Sequence, residues 1–488
     1  MTPPGRAVVI GSGLAGLSSA VLLAEGGWSV TVLEAHAIPG GLMQRYRRAG
    51  RWFDTGFHLA TGGAPGSILR AMCTRLGIAG HLEWLAPDPQ AQVVASAPGV
   101  APLAVPEGIA EAEAALSARF PDQSAALARF FALLRGRMVV NPWLCGLAPG
   151  VLPHDLPLGA QGETSVAEAL AACGISGPAA VLLGAASSIL AMRAEHCPFD
   201  AYAAFAGTTF AGGYRLRGGG DGLVQPLLAR LRAFGGQLLV KRAATAIEHD
   251  GTNAQAVVDQ SGARHEAELI ITAVHPDVVH GLLGPGGTRP SFAKRLAEVP
   301  DSAGTVLLAA SLDRPATELG RSHHFLRLHD GGDAYAVAPD QWEAGLPPSL
   351  EAMVWVPANE VAAWRASRLG QRSGDYAAWK AVQEARLRAV LEQRWPGLGA
   401  TITRTWVASP LTFRDYLGGR DGGAMGLSHD LGALGSQPLS PRSKLRNVLF
   451  TGQSFSHPGI LGTMIGACVT VGAIIGRDLR AEVLANCV

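Results

Sequence analysis

A chain of 488 residues is too long for a single hydrophobic core, so two domains are expected. Hydrophobic residues make up 48% and charged residues 16%, which excludes a disordered chain and points to an apolar cavity or surface. Basic residues number 40 against 39 acidic, a net charge of +1 with no Lys/Arg stripe to follow a phosphate backbone, so nucleic acid is not an expected partner.

Arg6 to Ile10 reads as a short apolar strand, followed at once by Gly11-Ser12-Gly13-Leu14-Ala15-Gly16 and a helical pattern through Leu17 to Glu25. Gly11 allows the tight turn, Gly13 lets the backbone approach a pyrophosphate, and Gly16 lets helix and strand pack closely. The apolar run is broken by these glycines and lacks a basic leader, so it reads as a buried strand and not a signal peptide. A second strand from Ser29 to Val32 leads to Glu34, about 20 residues past the glycines, where a carboxylate accepts hydrogen bonds from an adenosine ribose and disfavours a 2′-phosphate. Gly40-Gly41 and Phe53-Asp54-Thr55-Gly56-Phe57-His58 then come where a nicotinamide enzyme has no need of them, which favours FAD.

Ser165-Val166-Ala167-Glu168 forms a capping box before Ala169 to Ala172, in a stretch that reads as helix-rich. Gly218 to Leu223 opens a helix that ends at Gly235-Gly236; Gln237 to Val240 is a strand, Ala244 lies just beyond it, and Asp250-Gly251 turns a β-meander. A strand ending Ile270-Ile271-Thr272-Ala273-Val274-His275-Pro276 follows. A second mixed region holds a strand from Thr305 to Leu312 and a helix around Tyr376 to Gln393. Finally, Asn447 to Gln453 is an apolar strand closing on Gly452, and His457-Pro458-Gly459 precedes a small-residue helix that continues to Ile475. A helix opening near Gly462 and Thr463 can aim its positive end at a reduced, anionic flavin.

With these segments in place, the chain resembles the flavoprotein group of carotenoid desaturases, carotenoid isomerases and retinol saturases, within the amine-oxidase-like superfamily, over nearly its whole length. The resemblance implies an α/β fold. A Rossmann-type, GR2-like FAD-binding domain would be assembled from residues 1–65, 213–290 and 440–488, with an inserted α+β substrate-binding domain from 66–212 and 291–439. FAD would be held by Gly11, Ser12, Gly13, Leu14, Ala15, Gly16, Glu34 and Ala35 in the first segment, and by Gly40, Gly41, Leu42, Met43, Gly56 and His58 in the second. Ala244 would contact adenine through its backbone and Ala273 would pass beside the cofactor, while Gly452, Gln453, Gly462, Thr463 and Met464 would close on the flavin. Many relatives carry Arg where this chain has Leu42, and Asp where it has Gln453. Ser409 to Phe413, Tyr416, Gly422-Gly423 and Gly426 look like the segment that returns to the flavin in retinol-saturase-like proteins, whereas His457-Pro458-Gly459 is closer to bacterial carotene desaturases.

The implied activity is the addition or removal of hydrogen across carbon-carbon bonds of an apolar polyene or isoprenoid small molecule. Reduced-flavin cis-trans isomerisation, amine oxidation and carriage of a prenyl lipid without chemistry stand as alternatives. Leu42 and the lack of an aromatic just after Gly452 speak against amine oxidation, and the intact glycines speak against a carrier. His58 and His457, inside cofactor motifs, are the candidates to pass a proton; His196 and Tyr214 read as a surface histidine and a packed tyrosine. No metal site is expected, because Cys73, Cys145, Cys173, Cys197, Cys468 and Cys487 are scattered and no His stands at ligand spacing. Such cysteines fit a reducing, cytoplasmic setting. No stretch reaches roughly 18 uninterrupted apolar residues, so membrane contact, where there is any, is expected to be peripheral. The oligomeric state is not legible.

Overall fold

The structure, a computed structural model, describes residues 4–139, 164–434 and 439–486. Cys145 and Cys487 lie outside the described residues. Five parallel strands make one sheet in the order Gln237–Leu239, Ser29–Leu33, Arg6–Ile10, Leu269–Thr272, Val448–Phe450. The central strand is buried from Ala7 to Ile10, as its uninterrupted apolar run requires of a strand covered on both faces. The helix Leu14–Glu25 covers one face, packed between Gly459–Ile475 and Asp221–Ala233. Leu17, Leu23 and Val32 are fully buried there, each contributing about 1.5–3 kcal/mol of apolar burial. The meander expected after Ala244 is present as three antiparallel strands, Ala244–His249, Ala254–Asp259 and Arg264–Glu266. Its first turn is tied by Asp250, whose carboxylate accepts the Thr252 and Asn253 N–H groups, each at 2.8 Å.

A seven-stranded sheet stands opposite the parallel one, in the order Ile402–Ala408, Gly304–Leu312, Ser349–Val356, Asp333–Val337, His323–Arg327, Val93–Ala97, Val100–Val105. Every residue of Gly304–Leu312 is buried. One face packs Val306, Leu308 and Ala310 against Leu387 and Leu391 of the helix Gly374–Arg394. The first inserted stretch, 66–212, expected to be helix-rich, also supplies two strands of this sheet, and Val93–Ala97 joins it by parallel pairing with His323–Arg327. The capping box is as expected: Ser165 Oγ accepts the Glu168 N–H at 3.0 Å, and the Glu168 carboxylate accepts the Ser165 N–H at 2.8 Å. The helix Phe199–Ala211 is nearly all buried and packs most closely on the helix Ser124–Val139. Among the described residues no helix is long and apolar enough to cross a membrane. Cys73, Cys173, Cys197 and Cys468 are buried free thiols, and burial pushes Cys73, Cys197 and Cys468 up to about 12.

Candidate functional site

A cavity of about 500 Å³ runs along the carboxyl ends of the parallel strands and under the seven-stranded sheet. In an open parallel sheet this is where ligands bind. Gly11, Ser12, Gly13, Leu14 and Ala15 line its first wall. Gly11, at φ +97°, turns the chain out of the strand, and its N–H donates to the Leu33 carbonyl at 2.9 Å. Gly40, Gly41, Leu42 and Met43 form the adjoining wall, bound to the first by the Gly40 N–H, which donates to the Ser12 carbonyl at 3.1 Å. A Cβ on Gly41 would stand 3.2 Å from Gly13 Cα, whereas a Cβ on Gly13 would meet nothing within 4 Å. The two glycine turns thus touch backbone to backbone and leave open space in front of Gly13, the form a pyrophosphate needs.

Glu34, at the end of the second strand, lines the same cavity at 6% exposure. It accepts the Ser12 N–H at 3.0 Å, the Ser12 hydroxyl at 2.5 Å and the His36 N–H at 2.9 Å, with no basic side chain paired to it among the described residues. A fixed carboxylate without a cation suits two ribose hydroxyls. Ala35, Ala244 and Ala273 line the adjacent wall, and the Ala273 N–H is held by the Ile10 carbonyl at 2.8 Å. At the other end lie Gly56, His58, Gly452, Gln453 and Thr463. A Cβ on Gly56 would crowd Leu42, at 3.1 Å, so the leucine packs over that glycine. These residues fit an FAD.

Four sequence-predicted residues do not line the cavity. Gly16 lies beneath it, where a Cβ would stand 2.0 Å from the Gly11 carbonyl oxygen. Gly462 backs onto the His457 carbonyl, and Met464 is buried in the core. His457 is buried beside His429, ring centroids 6.0 Å apart; burial, with His429 adding to it, holds its imidazole well below the ordinary histidine value. The helix start also needs correction. The helix begins at Gly459, after Pro458, and the Thr463 hydroxyl already donates back to the Gly459 and Ile460 carbonyls within its first turns. Gly459 and Ile460 line the cavity, so the positive end of the helix faces it from there. Tyr214 is packed with its hydroxyl on Glu107, at 2.9 Å, and His196 is exposed.

Beyond the flavin-sized wall the cavity becomes apolar. Leu307, Met353, Tyr335 and Phe325 occupy one row across four neighbouring strands, each in register with the next. Trp355 extends the row's face, and Ile189, Leu190 and Phe205 face it from the helical side. Two residues before Met353 on the same strand face stands Glu351, fully buried. Its carboxylate meets His58 Nδ1 at 2.8 Å and accepts the Asp54 N–H at 2.8 Å. Burial pushes Glu351 up, but His58 and Arg215 outweigh it and hold the carboxyl below its ordinary range. Asp54 is lifted, by burial first and by Glu351 second, against Arg215 and Arg45. His323 completes the cluster: its Nδ1 contacts the Tyr335 hydroxyl at 2.7 Å, and burial, then Arg215, lower it well below the ordinary histidine value. None of Glu351, Arg215, Tyr335 and His323 is visible as a site residue in the sequence. The one signal is a single acid inside the otherwise apolar strand Ser349–Val356.

Residues 14–373 match the family of flavin containing amine oxidoreductases. The chain is 25% identical to human all-trans-retinol 13,14-reductase over 527 aligned residues, 97% of this chain and 86% of that protein. It is 37% identical to 15-cis-phytoene desaturase from Arabidopsis thaliana over 82 residues, 17% of this chain and 14% of that one. The crystal structure of an oxidoreductase from Methanosarcina mazei superposes with a TM-score of 0.68 at 15% identity, over 95% of this chain and 98% of that chain, and so shares the fold. The glycine cradle, the Glu34 carboxylate and the family match together identify the chain as an FAD-dependent oxidoreductase that belongs to the flavin-containing amine oxidoreductase family.

Proposed function

We propose that the protein adds or removes hydrogen across carbon-carbon bonds of an apolar polyene or isoprenoid, as a desaturase or saturase. The observation that carries this reading is the chamber formed by Leu307, Met353, Tyr335, Phe325, Phe205 and Leu190 at the flavin end of the cavity. Among the described residues, Glu34 and Asp415 are the only Asp, Glu, Lys or Arg side chains that line the cavity, and Asp415 is held by Arg372 and Arg414. In this reading Glu34 is taken by the ribose and Asp415 by two arginines, so a protonated amine would find no carboxylate left to pair with, and an anionic substrate no Lys or Arg side chain. The retinol reductase likeness over 97% of the chain supports the same substrate class. FAD supplies two-electron hydrogen transfer; the protein binds the apolar chain against the seven-stranded sheet, excludes water and orients the reacting carbons. In this reading residues 66–212 and 291–439 form the substrate-binding unit, and a substrate that partitions into lipid is collected by peripheral contact with a membrane surface.

The test is anaerobic incubation of photoreduced, FAD-loaded protein with all-trans-retinol, and of oxidised protein with 15-cis-phytoene, followed by mass analysis. A product two mass units heavier or lighter is expected. A product of unchanged mass with altered geometry would assign isomerisation instead, and conversion of simple amines with neither polyene touched would overturn the reading.

A further inference from the structure

Cofactor binding alone leaves the buried pair His58 and Glu351 at the cavity without a role. His58, on the loop after the strand Arg51–Asp54, lines the cavity, and Glu351, from the strand Ser349–Val356, stands directly behind it. Nδ1 of the imidazole and Oε2 of the carboxylate are 2.8 Å apart. The other carboxylate oxygen accepts the Asp54 N–H, so Glu351 is fixed from two sides. The His58 backbone is pinned as well: its carbonyl accepts Arg215 Nη1 at 2.6 Å and the Tyr335 hydroxyl at 3.2 Å. The titratable and charged groups around the ring are therefore Glu351, Asp54, Arg215, Tyr335 and His323, and of these Glu351 is the one that meets a ring nitrogen. With Nδ1 engaged, Nε2 is the nitrogen left to the cavity. A carboxylate on one imidazole nitrogen fixes the ring's tautomer and orientation and supports its charged form while the other nitrogen moves a proton.

We propose that His58 is the proton-transferring residue of the hydrogen-transfer reaction and that Glu351 is the positioning residue that sets its tautomer, an inference that rests on the reading given under Proposed function. In the saturating direction a bound reduced flavin would supply the hydride for one C–H bond. The π pair of the double bond takes the proton of His58 Nε2 to form the second C–H bond, and His58, left neutral, is reprotonated from water. The two electrons are restored by a reductant of the reduced-nicotinamide or ferredoxin class. In the desaturating direction His58 Nε2 accepts the proton of one C–H bond, whose electron pair becomes the new π bond, while the hydride of the second C–H bond would go to the bound oxidised flavin and its two electrons on to an external quinone-class acceptor.

The experiment uses FAD-loaded protein with ¹⁵N-labelled histidines. The His58 ring signals, assigned by their absence from His58→Gln, are expected to report the Nδ1-protonated tautomer in the wild type. Glu351→Gln has a single carbonyl and cannot accept from both Nδ1 and the Asp54 N–H, so it is expected to mix the tautomers. With all-trans-retinol as probe, His58→Gln is expected to lower kcat by about 10²–10⁴-fold and to remove one limb of the pH profile, and Glu351→Gln to lower kcat about 100-fold with KM within about twofold. An unchanged tautomer in Glu351→Gln, or turnover within about threefold of wild type in either variant, overturns the proposal. Should Glu351→Gln not yield holoprotein, the wild-type tautomer and His58→Gln decide alone. A wild type inert to retinol and phytoene refutes the reaction reading, whereas the tautomer measurement needs no substrate and tests the pair by itself.

Discussion

Arg215 and Asp54 are joined inside the protein by a hydrogen bond of 3.0 Å, with 3% and 2% of their surface exposed. The guanidinium also holds the His58 carbonyl, and the carboxylate also accepts the Gly220 N–H at 3.0 Å, so one ion pair connects the His58 loop to the start of the helix Asp221–Ala233. Removing one partner leaves the other charge buried. Arg215→Met is expected to cost about 3–5 kcal/mol of unfolding free energy in a urea titration. The double variant with Asp54→Asn is expected to recover part of that loss, because the Asp54 carboxylate is no longer left facing the gap without Arg215.

Gly16 and Gly13 lie three residues apart and predict opposite outcomes. A Cβ on Gly16 would stand 2.0 Å from the Gly11 carbonyl oxygen and 3.2 Å from Ala273 Cβ, neither of which can move without parting helix from sheet. Gly16→Ala is expected to destabilise the FAD-free protein by about 1–3 kcal/mol in thermal melts. A Cβ on Gly13 meets no protein atom within 4 Å, so Gly13→Ala is expected to melt within about 0.5 kcal/mol of wild type and yet to bind FAD at least about tenfold more weakly.

Glu34 accepts three hydrogen bonds from Ser12 and His36, and its remaining acceptor capacity faces the cavity. Glu34→Gln replaces one oxygen with a donor group and cannot serve all of these together with ribose hydroxyls. Titration calorimetry is expected to show FAD affinity falling about tenfold to a hundredfold, equivalent to about 1–3 kcal/mol.

Acid stability follows from three buried histidines. Burial, with Arg215 for His323 and His429 for His457, lowers those two well below the ordinary value, and burial takes His324 down to about 4. The His324 Nε2 is committed to the Leu319 carbonyl at 2.9 Å, and its Nδ1 has no partner to receive a second proton's charge. In the unfolded chain each imidazole takes up a proton near about 6.5. Below that pH the unfolded state binds protons that the folded state refuses, so stability falls as pH falls, by up to about 1.4 kcal/mol per pH unit for each histidine, until the folded value is reached. Above about pH 7.5 the three contribute no slope. Urea titrations between pH 7 and 4 check the sign, and His324→Gln is expected to remove one histidine's share of the slope.

The cofactor half of the site was legible because its signals are local. Turn, strand and helix from Arg6 to Glu25 and the carboxylate at Glu34 follow from spacing within some thirty residues, about the length of one βαβ unit. The opposite wall was not. His58 and Glu351 are 293 residues apart, and their contact depends on the register of the Ser349–Val356 strand with its neighbours. Val93 to Val105 forms strands because His323–Arg327 offers an edge to pair with, which no window around residue 93 contains. The helix opens at Gly459, ahead of the expected Gly462 and Thr463, and its glycine-rich first turn carries no Ser, Thr or Asp cap to mark it. Thr463, the first residue that could serve as one, spends its hydroxyl inside the helix.

The parallel sheet takes its edge strand, Val448–Phe450, from a part of the chain made after every other strand of the molecule, and Gly452 and the helix from Gly459 follow it still. The flavin wall is therefore completed by the part of the chain most distant in sequence from the Gly11 turn. A chain cut before residue 448 therefore lacks the edge strand, Gly452 and the helix opening at Gly459, and is expected to hold no flavin however well the Gly11 turn is formed.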